Sequence, residues 1–107
     1  MDNDKLLFGV NGIKVNWKDA SWNETGFRVF RQREGTTDWT RIKTLDAIEG
    51  SSNFRNFMDN EVEWDTRYCY KIEAYNADGR RESPQRCVKT SIEGINPPVV
   101  RAQLRID

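Results

Sequence analysis

Apolar and polar residues alternate in short runs along most of this chain, with turn residues between the runs. The clearest run sets Tyr68, Tyr70, Ile72 and Ala74 against Cys69, Lys71, Glu73 and Tyr75, the period of two of a half-buried strand. Lys5 to Gly9 is a weak first strand, and Asn11-Gly12 is a hairpin signal leading into Ile13, Val15 and Trp17 on one face. Gly26 opens a strand in which Phe27 and Val29 point one way and Arg28 and Phe30 the other, and Glu34-Gly35 ends it. Trp39 to Leu45, Asn53 to Met58, the long strand from Thr66 and its partner from Gln85 to Thr90 bring the set to seven, with Gly50-Ser51-Ser52 as a loop. No segment holds a helical stripe for three turns, so the pattern predicts an all-β sandwich or barrel.

The long strand carries the sharpest local prediction. Asn76-Ala77-Asp78-Gly79 suits a type I turn followed by a left-handed glycine, a three-residue hairpin loop that pairs Asn76 with Arg80. Continued without a further bulge, that register sets Cys69 opposite Cys87 on the outer face. Facing residues lie ~4.5–5.5 Å apart at Cα, within reach of a disulfide. The alternative is two independent thiols. The same register aims Arg86 inward, opposite Tyr70, so either its stem reaches past the sheet edge or a bulge shifts the register.

Composition narrows the class. At 107 residues the chain fits one domain. Its 17 basic and 17 acidic residues cancel, which argues against nucleic acid or an anionic membrane as main partner. No apolar run approaches the ~20 residues of a membrane span, and Met1-Asp2-Asn3-Asp4 has none of the features of a signal peptide. With a disulfide, these features lead us to expect one module of a longer secreted protein, extracellular, cell-surface or periplasmic. The alternative is a cytosolic protein with free thiols.

The composition changes after Ser91. Residues 1–91 read as the domain and 92–107 as a linker, Glu93-Gly94-Ile95-Asn96-Pro97-Pro98, followed by an extra strand in which Val100, Ala102, Leu104 and Ile106 alternate with Arg101, Gln103 and Arg105. That strand could open a following module, fold back on this domain or pair between molecules; the first is preferred, because Pro-containing links commonly join tandem modules.

With the strands placed, the chain resembles a fibronectin type III domain, in the form that recurs in bacterial extracellular proteins. The resemblance covers about residues 5 to 91 and rests on Val15-Asn16-Trp17-Lys18-Asp19, Asn23-Glu24-Thr25-Gly26-Phe27-Arg28-Val29, and the run from Tyr68 to Gly79. It implies a seven-stranded immunoglobulin-like β-sandwich of fibronectin type III topology, with Trp17 in the core beside Phe27, Val29, Tyr70 and Ile72. It also implies a tyrosine corner, in which Val62 stands six positions ahead of Tyr68 and the Tyr68 hydroxyl bonds back to the backbone. The family's usual Pro-Gly in that corner is Trp64-Asp65 here. The immunoglobulin pattern fits less well, since the cysteines are only eighteen positions apart and the tryptophan precedes the second long strand.

Candidate chemistry is sparse. The chain has no histidine, which removes the usual general base and common metal ligand, and there is no phosphate-loop or dinucleotide motif. Asp59, Glu61, Glu63 and Asp65 cluster but match no calcium-loop spacing, so they read as a solvated corner. No catalytic residue, cofactor or metal site is assigned, and the module is expected to be non-enzymatic. Asn23-Glu24-Thr25 meets the N-glycosylation pattern, and Arg-Gly-Asp is absent. The candidate ligand contacts are aromatic: Trp22, Trp39 and Trp64 in or near loops, and Phe30 and Tyr75 on the outer sheet face, where they would stack on polysaccharide or anchor a protein. The expected partners are neighbouring domains of the same polypeptide, with protein or polysaccharide as the alternative, and without nucleic acid or membrane insertion.

Overall fold

The computed structural model describes residues 11–19, 24–46, 54–93 and 99–106. They form eight strands: β1 (Gly12–Asp19), β2 (Gly26–Arg33), β3 (Thr40–Asp46), β4 (Phe54–Asp59), β5 (Arg67–Asn76), β6 (Gly79–Glu82), β7 (Arg86–Lys89) and β8 (Val99–Ile106). One sheet runs β4-β1-β8 and the other β3-β2-β5-β6, with β7 also on β5. The result is an all-β, two-sheet, sandwich-like fold. The weak strand expected at Lys5 to Gly9, the Gly50-Ser51-Ser52 loop, Asn23 and Trp22 lie outside the described residues.

Alternation decides which face each strand buries. Ile13, Val15 and Trp17 of β1 point inward against Phe27 and Val29 of β2 and Tyr68, Tyr70 and Ile72 of β5, and all of these are buried. The Trp17 and Phe27 rings meet at 5.8 Å in a tilted arrangement. Fully burying a side chain of this size contributes about 1.5–3 kcal/mol, which is why the inward set tolerates little change.

The β5–β6 hairpin differs from its expected register and still delivers the expected cysteine pair. Asn76 faces Gly79 and Tyr75 faces Arg80, so the loop is Ala77-Asp78, one residue tighter than predicted. The cause is the Asn76 side chain, whose Oδ1 accepts the N–H groups of Asp78 (2.8 Å) and Gly79 (3.1 Å) and closes the turn locally. Ser83 then breaks the second strand. Its N–H donates to the Ile72 carbonyl, and its Oγ accepts the Ile72 N–H at 2.9 Å. Pro84 has no N–H to continue the ladder, so one extra residue is accommodated there and the strand splits into β6 and β7. The extra residue offsets the tighter turn, and Cys69 and Cys87 face each other and are bonded. Arg86 does lie opposite Tyr70, and its side chain is exposed at the break rather than buried.

The corner before β5 is tied at several points. Val62 is buried, and the Tyr68 hydroxyl accepts the Glu63 N–H at 2.8 Å. Asp65 has φ 52°, in the left-handed region that glycine adopts without strain. Thr90, just past β7, accepts the Thr66 N–H on its hydroxyl oxygen at 2.9 Å and donates to the Glu63 carbonyl.

Residues 99–106 correct the preferred expectation for the C-terminal segment. They do not stand apart as the opening of a following module: β8 pairs in parallel with β1 along its whole length, from Gly12↔Val99 to Asp19↔Ile106. Ala102, Leu104 and Ile106 are buried in the same core. An alternating strand with one apolar face needs a sheet edge and a core to cover, and the edge of β1 supplies both.

Candidate functional site

The outer face of the five-stranded sheet gathers most of the expected contact residues. Phe30 on β2 faces Lys71 on β5. The Lys71 ammonium sits 5.6 Å from the Phe30 ring centroid and 4.8 Å from that of Trp39, which directly precedes β3. This is cation–π distance for both rings, and Glu82 of β6 adds a carboxylate 3.4 Å from the same nitrogen. Further along β5 the Arg28 guanidinium lies 3.7 Å over the Tyr75 ring and pairs with Glu73. Arg80 approaches Glu73 at 3.6 Å. Glu73 faces outward by parity yet is buried beneath these groups.

Phe30, Trp39 and Tyr75 are therefore on one face, each held by a cation. Trp64 is elsewhere: it is half-buried in the turn before β5, at the opposite end of that strand from Tyr75. Lys71 and Arg28 were not among the expected contact residues. Their outward parity was readable, but which ring each cation covers depends on how β2, β3 and β5 register.

A second polar site closes one end of the sandwich. Asp59, at the end of β4, is 3 % exposed and is reached from the opposite sheet. Arg31 donates to both of its oxygens at 2.9 and 3.0 Å, Tyr70 donates to Oδ2 at 2.6 Å, and the Glu61 N–H donates to Oδ1. Burial pushes the Tyr70 phenol far above its ordinary range, and its hydrogen bond to Asp59 adds to that. For Arg31, burial acts to lower the guanidinium, but the bond and charge of Asp59 outweigh it and hold it above its usual value. Beside this triad an open groove of about 460 Å³ is lined by Arg33, Thr36, Asp38, Glu61, Glu63 and Tyr68. Arg33 forks onto Glu63 at 2.8 and 3.0 Å.

The acidic cluster of the sequence is thus divided by the fold. Asp59 is buried with Arg31 and Tyr70, Glu63 pairs with Arg33, and Asp65 pairs with Lys89 at 3.1 Å. Among the described residues no group of three His, Cys, Asp or Glu is placed to hold a metal ion, and no helix is long and apolar enough to cross a membrane. No protein-family model, curated protein or solved structure matches the chain.

Proposed function

We propose that this chain is a non-catalytic β-sandwich module of fibronectin type III topology that spaces or presents its neighbours in a secreted multidomain protein. Immunoglobulin-like sandwiches place strands B and E in one sheet and C, F and G in the other. On that scheme β1 and β4 take the places of B and E, β2 and β5 those of C and F, and β6 with β7 that of a divided G. The Tyr68–Glu63 bond and the left-handed Asp65, at the position where the family has its glycine, support the same assignment. The seven-strand scheme is extended by β8, which lies parallel to β1. The disulfide favours an oxidising compartment.

The observation that carries the non-catalytic reading is the state of the two carboxylates buried among the described residues. Asp59 is held by Arg31 and Tyr70, and Glu73 by Arg28 and Arg80, so each has its charge compensated within the fold. The test is replacement of the module in its parent protein by a flexible linker of equal span. Activity toward a tethered or insoluble substrate should fall while activity toward a small soluble one is unchanged; equal activity on both would refute a spacer role.

A second reading is favoured by the Phe30–Lys71–Trp39 cluster, in which a cation fixes two half-buried rings on an outer face. Such a face is suited to stacking on a sugar ring or seating a partner's side chain. Tryptophan fluorescence during titration with neutral glycans and candidate proteins tests it, and a Trp39→Phe variant should abolish the response.

A further inference from the structure

The groove beside the Asp59 triad joins side chains from two separate stretches of chain. Arg31 and Arg33 of β2, Thr40 of β3 and Tyr68 of β5 reach it from one side of their sheet, since Arg31 faces Thr40 and Arg33 faces Tyr68 in the register. Asp38 comes from the connection between β2 and β3, and Glu61 from the segment that follows β4. The volume of about 460 Å³ lies within the ~300–1,000 Å³ of small-molecule sites.

Two donors in this groove are only partly used. Arg31 makes its bonds to Asp59 and to the Glu61 carbonyl through Nη1 alone, so Nε and Nη2, the side-on fork of the guanidinium, have no acceptor among the described residues. That fork opens to solvent, because among the described residues the Trp17 indole nitrogen alone is both buried and without a partner. Tyr68, 3 % exposed, accepts the Glu63 N–H on its hydroxyl oxygen but donates its own proton to no described residue. Acceptors are spare as well. The Asp38 and Glu61 carboxylates are exposed, and neither forms an ion pair among the described residues, whereas Asp59 and Glu63 are matched by Arg31 and Arg33.

We propose that this groove binds a neutral sugar through adjacent hydroxyls, which accept from the Arg31 fork and the Tyr68 hydroxyl and donate to Asp38 and Glu61. A hydroxyl both donates and accepts, so a single kind of ligand group satisfies both sets. Two parallel N–H bonds from one guanidinium edge match two neighbouring oxygens, as they do in a carboxylate. A cation brings donors alone and would leave the Arg31 fork and the Tyr68 proton without acceptors. An anion brings acceptors alone and would meet Asp38 and Glu61 at like charge. The site is separate from the Phe30–Lys71–Trp39 face: Trp39 turns to Lys71, while Asp38 and Thr40 on either side of it line the groove. It does not depend on the module's role as a spacer.

The test is NMR of the intact, nitrogen-labelled chain at mildly acidic pH, titrated with D-glucose, D-galactose, D-mannose and D-xylose beside glucuronate and glucosamine. At least one neutral sugar should bind with a Kd in the millimolar range, shifting the Arg31 Nε–H signal and the amides of Asp38, Thr40 and Glu61. Asp38→Ala/Glu61→Ala should weaken that binding about tenfold, as loss of a hydrogen bond to a charged group does. The control pair Asp78→Ala/Glu93→Ala removes the same charge from exposed positions outside the groove and should leave it within about twofold. Urea midpoints show whether each pair is folded, and the wild-type shift map locates the site without any variant. Absence of binding by all four neutral sugars, shifts confined to Phe30, Trp39 and Lys71, equal loss in the control pair, or tighter binding of glucuronate or glucosamine would each overturn the proposal.

Discussion

Replacing Tyr70 by Phe removes one oxygen from a buried site. The phenol donates to the Asp59 carboxylate at 2.6 Å, and both residues are almost fully buried. A hydrogen bond to a charged group contributes about 1.5–3 kcal/mol. Asp59 keeps Arg31 and the Glu61 N–H, so we expect a loss of about 2 kcal/mol at pH 8 and a fall in Tm of about 10 °C. The cost should shrink at high pH. An unfolded tyrosine ionises near pH ~10, whereas burial and Asp59 keep native Tyr70 protonated. Above that pH the unfolded state binds fewer protons than the native state, and wild-type stability falls with pH through this group. By pH 11 the loss is about 1.4 kcal/mol, and the Phe variant is spared it. Brief urea titrations at pH 8 and 11 on both proteins should therefore show the difference narrowing from about 2 to about 0.6 kcal/mol. A cost below about 0.5 kcal/mol at pH 8, or one that does not narrow, would refute the assignment of Tyr70 as a buried donor to a charged Asp59.

Ile106→Ala should destabilise the domain by about 2–5 kcal/mol, because this β8 side chain is fully buried in the shared core; an unchanged urea midpoint would mean that β8 does not pack here. Cys69→Ala/Cys87→Ala should cost up to about 3 kcal/mol by releasing an eighteen-residue separation, and the wild-type mass under non-reducing conditions should be two hydrogens below the reduced value. Asp65→Gly should raise stability by about 0.5 kcal/mol, since φ 52° suits glycine and the Lys89 pair it gives up is exposed; a lower Tm would count against strain at this corner.

The strands were legible because each buries one face. Ile13, Val15 and Trp17, or Tyr68, Tyr70 and Ile72, declare their side by alternation alone. The cysteine pair was legible for a less direct reason. The predicted turn was one residue too long, and the Ser83–Pro84 interruption was not anticipated, but the two shifts cancel before Cys87. In the candidate site, the outward positions of Phe30 and Tyr75 followed from parity, while their cations followed from pairings between strands distant in sequence. Arg31 shares the parity of Phe27 and Val29, so its inward direction could have been read. The carboxylate it would meet could not, because Asp59 comes from the other sheet.

Local pattern thus determined strand identity and the inward and outward sets, since these depend on backbone period, while the Tyr68 corner was expected from the family resemblance. Tertiary structure decided where the apolar edge of the last strand goes. Val100 to Ile106 reads the same whether it covers this core or another, because alternation names a face but not its neighbour. Only the free edge of β1 made the segment part of this domain.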